Sequence, residues 1–218
     1  MKILHLTDIH GDSNKFQSIA KWLESAGLVI LSGDITHFGN KSDTEQIIVE
    51  IEKFTNAILS VTGNCDYPDV QSLLEQRGYF TGTEIRRFEN HQFLGLSGSL
   101  PCPGSTPNEY SDDQFNETIN QLKSKLSSKY PVILISHQPP YKTKNDKIAF
   151  GLHVGSKSIR RFIENEQPLA CFTGHIHEGK AVDEIGKTKI INPGPFKNGR
   201  FAWITIENNV LNAELKKI

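Results

Sequence analysis

Five short clusters of Asp, His and Asn punctuate the 218-residue chain. They are Asp8-Ile9-His10, Gly33-Asp34, Gly63-Asn64-Cys65-Asp66, Ser136-His137 and Gly174-His175-Ile176-His177. Carboxylate, imidazole and amide oxygen without paired thiolates form a mixed N/O set. Such a set suits Mn, Fe, Zn, Co or Ni rather than a structural zinc knuckle. Residues i and i+2 of an extended chain point the same way. Asp8 and His10 can therefore reach one point together, as can His175 and His177. Asp8, His10, Asp34, Asn64, His137, His175 and His177 are more ligands than one ion needs. Two ions sharing a carboxylate is the economical reading. A pair about 3.5–4 Å apart clamps the attacking and leaving oxygens of a phosphoryl transfer.

Each cluster follows an element that can position it. Strands are expected at Lys2–Leu6, Leu28–Leu31, Ala57–Val61, Val132–Ile135 and Leu169–Thr173. Helical spacing of apolar residues predicts helices over Ser13–Ala26, capped by Asp12 or Ser13, and over Asp43–Phe54. Pro68 opens another that runs to Arg77. This alternation argues for βαβ units and a largely parallel sheet. In open α/β sheets, sites form outside the carboxyl ends of strands.

The middle of the chain changes character. Glu84–Phe88 and Gln92–Leu96 read as a hairpin, with His91 solvated in its turn. Ser97–Ser111 reads as a loop that walls or covers the site, with Cys102 a bystander in it. A helix over Asp112–Lys129 follows, then a long loop over Gln138–Val154 and a helix over Ser156–Glu166. The remainder is strand: Lys180–Ile185, Thr188–Ile191, Arg200–Ile206 and Val210–Leu215. With no repeat, low-complexity tract or linker, residues 1–218 are expected to form a single domain.

Composition narrows the function classes. Lys+Arg is 24 against Asp+Glu 25, a formal charge of −1, which argues against a surface gripping nucleic acid throughout. Apolar residues are 37 % and charged residues 22 %, ordinary for a globular chain. His5 and Asp8 interrupt the N-terminal apolar run too early for a signal core. No stretch reaches the roughly 20 apolar residues of a spanning helix. Three cysteines without framework spacing fit a reducing interior. The expectation is a cytoplasmic protein with no membrane partner.

The ordered series D-x-H, GD, GN-x-D, H and GH-x-H resembles the calcineurin-like metallophosphoesterase superfamily. Asn192-Pro193-Gly194 matches that family's closing turn, and Ser136-His137-Gln138-Pro139-Pro140 its H-x-P-P form. The stretch from His153-Val154-Gly155-Ser156 to His175-Ile176-His177-Glu178 is similar to small prokaryotic phosphoesterases of the cyclic-nucleotide phosphodiesterase-related group. The resemblance implies an α/β fold, a four-layer αββα sandwich with two mixed β-sheets. It implies one metal held by Asp8, His10 and His177 and another by Asn64, His137 and His175. Asp34 would bridge the two divalent ions together with a hydroxide that attacks phosphorus in line. Mn²⁺ is the expected metal, with Fe, Zn, Ni or Co as alternatives.

Cys65 departs from the family pattern. Many members carry His there, which protonates the leaving oxygen or contacts the phosphate. A thiol of pKa near 8.5 is a weaker donor than imidazolium. The GNCD form resembles the phosphodiesterase branches, and also a retromer subunit that uses the fold as a scaffold. The expected activity is therefore a phosphodiesterase acting on a small phosphodiester or nucleotide. The alternatives are a metal-binding scaffold or regulatory protein, or a nuclease. Family nucleases generally add a DNA-facing domain, so a nucleic-acid partner is not expected.

The catalytic set is expected to be Asp34, Asn64, Cys65 and His153. His153 precedes a helix N-terminus, where free N–H groups bind anions, and is expected to reach the substrate phosphate. Asp66 is expected to cap the following helix or to orient a neighbour. His37 is placed on the site rim, and His5 in the core. Between Lys142 and Arg161 stand six basic residues and one acid. They form either a solvated face or a rim that attracts anions.

Overall fold

A computed structural model describes residues 1–218. Two mixed sheets lie face to face with helices outside. The first has the order β11-β10-β1-β2-β3. It contains β1 (Lys2–Leu6), β2 (Leu28–Ser32), β3 (Ile58–Val61), β10 (Arg200–Glu207) and β11 (Val210–Lys217). The second has the order β4-β5-β6-β7-β9-β8. It contains β4 (Arg86–Phe88), β5 (His91–Leu96), β6 (Val132–Ser136), β7 (Ala170–Thr173), β8 (Ala181–Ile185) and β9 (Thr188–Asn192). β1, β2 and β3 run parallel, as do β5, β6, β7 and β9; antiparallel pairs close both ends of the second sheet and the β11 end of the first, which ends on parallel β3 at its other edge.

The layering follows from the period of two along each strand. Ile3, Ile30, Ile133 and Ile135 point between the sheets, where they meet Phe93, Phe172 and Ile204. Their neighbours Leu4 and Val29 point outward onto α1 (Ala20–Ser25), α2 (Lys41–Glu52) and α3 (Pro68–Gln76), touching Leu23, Ile47, Ile51 and Leu74. On the far side Leu94, Leu134 and Cys171 cover Phe115, Ile119, Ile159 and Phe162 of α4 (Asp112–Lys123) and α5 (Lys157–Glu166). Strands buried on both faces read as continuous apolar runs. The expected sandwich of helix, sheet, sheet and helix is what forms.

Several element expectations need correction. The helix expected over Ser13–Ala26 is only a 3₁₀ turn, Gln17–Ile19, followed by the six residues of α1. Asp12 caps neither. Its Oδ1 accepts from the Asn14 amide at 3.1 Å and its Oδ2 pairs with Lys15, so local bonding keeps this stretch in turns. The helix expected to reach Lys129 stops at Lys123. Gln92 holds the chain beyond it as a loop, donating to the Ser127 and Tyr130 carbonyls and accepting from the Ser127 amide. His91 is not solvated: it begins β5 at 7 % exposure. No helix is long and apolar enough to cross a membrane.

Candidate metal centre

The parallel strands deliver the candidate ligands to one end of the sandwich. β1 leads into Asp8 and His10, β2 into Asp34, β3 into Asn64, β6 into His137 and β7 into His175 and His177. Asp8, Asp34, Asn64 and His137 are each at most 5 % exposed. Four of these residues hold left-handed backbone: Asp8 at φ 51°, His10 at 50°, Asp34 at 48° and His175 at 66°. Non-glycine residues there are uncommon, and such strain gathers at functional sites. Neighbouring backbone fixes the turns. Asp8 N donates to Gly33 O at 3.1 Å, and His10 N to Asp34 O at 3.0 Å.

Two glycines preceding ligands are required by close approach. A Cβ on Gly63 would overlap the Asp34 carboxylate, and one on Gly174 would overlap Thr7 Oγ1. The GN and GH pairs are thus steric consequences of crowding the ligand loops together.

The side chains converge. His177 Nε2 lies 3.4 Å from Asp8 Oδ1 and 3.3 Å from His10 Nε2. Asp34 stands between two imidazoles, with Oδ2 3.7 Å from His10 Nε2 and Oδ1 3.5 Å from His137 Nε2. His137 Nε2 is 3.0 Å from Asn64 Oδ1. The His175 ring lies 5.1 Å from that of His137. Asp8, His10 and His177 form one group able to hold a cation, and Asp8, Asp34 and His137 another.

The bonding around these atoms fits divalent cations. His137 Nδ1 donates to the Ser32 carbonyl at 2.8 Å, so its Nε2 presents a lone pair. Asn64 Nδ2 donates to Thr106 Oγ1 at 3.2 Å, so its Oδ1 is the atom facing His137. Asn64 Oδ1 and His137 Nε2, two atoms able to ligate, therefore meet at 3.0 Å, where a cation can take both. Asp8 Oδ1 is likewise buried without a hydrogen-bond donor.

Charge states follow from burial and neighbours. Burial lowers His10 to about 4 and His175 to about 3, keeping both neutral and able to ligate. Burial pushes Asp8 up, but His177, 3.4 Å from Oδ1, and the nearby His137 and His10 outweigh it, so its carboxyl is held below the usual range. Burial raises Asp34 to about 6, against the opposing pull of His137 and with the help of the Asp66 and Asp8 charges. Burial and the Asp34 charge push the Cys65 thiol well above its ordinary range, so it stays protonated.

Support comes from residues whose role the sequence conceals. Asp66 does not cap α3, whose first flanking residue is Tyr67. Its carboxylate turns inward and accepts from Ile35 N at 3.2 Å and from Thr36 N, Thr36 Oγ1 and Gly63 N, each at 2.8 Å. It thereby ties the loop carrying Asp34 to the loop carrying Asn64. Buried Asn192 donates to the Gly174 and Ile176 carbonyls, and the Phe196 amide bonds Thr7 O, so the closing turn braces two ligand loops. An Asn followed by Pro-Gly was the only sign of this in the sequence.

The loop 97–111 does wall the site. Thr106 holds Asn64 and is itself held by Glu109. Cys102 is not a bystander, because its Sγ lies 3.7 Å from His175 Nε2. His37 sits beside the centre, its ring 5.2 Å from that of His10, and groups with His10 and Cys65. His5 is in the core, bonded through Nε2 to Ser32 Oγ at 2.8 Å. His153 bonds Asp146 at 2.7 Å through Nδ1 and packs edge-on against Tyr141, making no contact with the ligand histidines. The basic stretch is partly spent: Lys144 pairs with Asp183, Arg160 with Glu164, and Lys142 and Lys157 lie over Tyr141.

The chain is similar to proteins of one superfamily in both sequence and shape. A protein of Methanocaldococcus jannaschii is 36 % identical over 216 residues, spanning 97 % of this chain and 95 % of the relative. A probable cyclic nucleotide phosphodiesterase of Synechococcus is 25 % identical over 157 residues, 71 % of this chain and 59 % of the relative. A dimetal phosphatase from Danio rerio shares the fold, with a TM-score of 0.66 at 13 % identity over 100 % of this chain and 96 % of the other. The family model of the calcineurin-like phosphoesterases matches residues 1–179. The brace around Asn64 and His137 is thus found in a chain that belongs to the calcineurin-like phosphoesterase family.

Proposed function

We propose that residues 1–218 form one catalytic domain, a metal-dependent phosphodiesterase acting on a small phosphodiester or nucleotide. The observation that carries this reading is the position of Asp34. Its two carboxylate oxygens face separate imidazoles, His10 and His137, at 3.7 and 3.5 Å. One set of ligands is then Asp8, His10 and His177, the other Asn64, His137 and His175, with Asp34 common to both. A mixed N/O set at borderline hardness favours Mn²⁺. Divalent cations bound there supply charge that activates water near neutral pH and offsets charge gathered at phosphorus.

The protein's own residues do the rest. Asp8 and Asp34 bring negative charge into a buried pocket, which makes it cation-selective. The Ser32 carbonyl fixes the His137 tautomer, and Thr106 fixes the Asn64 amide, so neither ligand must reorganise during reaction. Cys65, protonated and neutral, is a weak donor to a leaving oxygen. Diesters with reasonable leaving groups are therefore favoured over monoesters. His153, held at Nδ1 by Asp146, keeps Nε2 to meet the substrate phosphate.

The test is hydrolysis of an aryl phosphodiester against the matching monoester by protein stripped of metal and reloaded with Mn²⁺. Diester cleavage that needs metal and falls by at least about 10²-fold in Asp34→Asn is expected. No cleavage by protein carrying two tightly bound ions overturns the reading in favour of a scaffold.

A further inference from the structure

The segment Thr36-His37-Phe38-Gly39 displays an aromatic pair beside the candidate centre. The His37 ring meets that of His10 at 5.2 Å and 82°, and that of Phe38 at 4.9 Å and 57°. His37 is exposed, and Phe38 is 46 % exposed. Phe38 also holds left-handed backbone, at φ 57°. That conformation suits glycine or a short polar residue and is an outlier for a bulky one. Core packing does not account for an aromatic there, since the ring lies half in solvent.

The residues on either side of the pair are pinned. Thr36 is fixed through its amide and hydroxyl to the buried Asp66 carboxylate, and Gly39 N donates to Thr36 Oγ1 at 3.3 Å. The turn therefore presents Phe38 at a fixed angle. Below it opens a cleft of about 320 Å³ that also reaches His10, Ser13 and Gln46. This volume falls at the small end of ligand pockets, roughly 300–1,000 Å³. A rigid exposed aromatic stacks bases of any sequence, because every base has a π-face.

We propose that His37 and Phe38 form a stacking ledge for a nucleobase, which makes nucleotide diesters the preferred substrate class. The inference rests on the phosphodiesterase reading for its catalytic meaning, though not for its binding. The base lies in the cleft against Phe38, with the Gln46 amide and Ser13 hydroxyl available to its polar edge. The phosphate then faces the candidate ligands on the His10 side.

Two diesters with one leaving group test it: thymidine 5′-(p-nitrophenyl) phosphate and methyl p-nitrophenyl phosphate. Wild type is expected to favour the base-bearing ester in kcat/KM. Phe38→Ala lowers that preference about tenfold, mainly through KM, within the range of base stacking on an aromatic. Phe38→Trp keeps it. Phe38→Gly, which suits φ 57° without strain, behaves like Phe38→Ala and guards against a misfolded variant. An unchanged preference in both small variants overturns the proposal. Binding is read separately, by saturation-transfer NMR of adenosine monophosphate on metal-free protein. Contacts to the base protons are expected in wild type and lost in Phe38→Gly. Their absence in wild type, or persistence in the variant, overturns the ledge. Should wild type cleave neither diester, the phosphodiesterase reading fails while this titration still decides the ledge.

Discussion

Replacing Asp66 by alanine removes the carboxylate that makes most of the bonds joining the loops after β2 and β3, a further one running from Cys65 N to Asp34 Oδ1 at 2.8 Å. Four donors lose it: Ile35 N, Thr36 N, Thr36 Oγ1 and Gly63 N. Hydrogen bonds to a charged group contribute about 1.5–3 kcal/mol each. The simple total overstates the loss, because Thr36 Oγ1 can turn back to Gly39 O and water can enter from the rim. Breaking a buried polar network rarely exceeds about 4–5 kcal/mol. The expected destabilisation of metal-free protein is therefore about 3–5 kcal/mol by urea unfolding. Asp66→Asn restores one acceptor oxygen but points an NH₂ at the remaining donors, so it falls only slightly short of that value. The same carboxylate positions Asp34 and Asn64. Calorimetric titration with Mn²⁺ is expected to show affinity reduced about 10–100-fold, as is usual when a group orienting ligands is lost. Destabilisation under about 1 kcal/mol, with Mn²⁺ affinity unaltered, would refute the claim that Asp66 holds the two loops in register.

Other predictions concern crowding and acid. Gly174→Ala sets a Cβ against Thr7 and 2.8 Å from Asp8 Oδ2. It is expected to cost about 1–3 kcal/mol and to weaken Mn²⁺ binding, whereas Gly27→Ala, whose Cβ would meet nothing nearer than Lys2 O at 3.5 Å, leaves Mn²⁺ binding intact. His5 is neutral in the fold, lowered to about 3 by burial against the opposing Asp8 charge. The unfolded chain takes up a proton there below about pH 6.5 and the native state does not. Stability is lost as pH falls from about 6.5 toward 3, by at most about 1.4 kcal/mol per pH unit. Unfolding of metal-free His5→Gln at pH 4 and 7 should show that dependence reduced by about one proton. Asp34 runs the opposite way: raised to about 6, it lends stability at acid pH that is lost as pH climbs from about 4 through 6. Metal-free Asp34→Asn should lose that gain.

The sandwich was legible because its strands are buried on both faces and read as plain apolar runs between helical periods. The candidate ligands were legible because each follows such a run, two of them behind glycines that crowding requires. What escaped was set by partners distant in sequence. Asp66 read as a helix cap or as a group orienting a neighbour, and the second is what forms, but only the fold brings Ile35 and Thr36 within its reach. Cys102 looked incidental within a Pro- and Ser-rich loop, yet the wall it belongs to carries it to His175. His91 sat beside a polar turn, yet it starts β5 and is buried there. The helix over 13–26 failed because Asp12 found nearer partners than a helix terminus.

The two candidate cation groups that contain Asp8 draw on both sheets, and His10 and His177 are 167 residues apart. Neither group can exist in a chain that has folded one sheet and not docked the other. Contacts of such sequence separation are costly to close and form slowly. Ions that bind only the native arrangement deepen its basin by mass action. Metal held by either of these groups would thereby favour chains that have joined their two halves, whereas the His10, His37 and Cys65 group, drawn from loops of the first sheet alone, needs no docking.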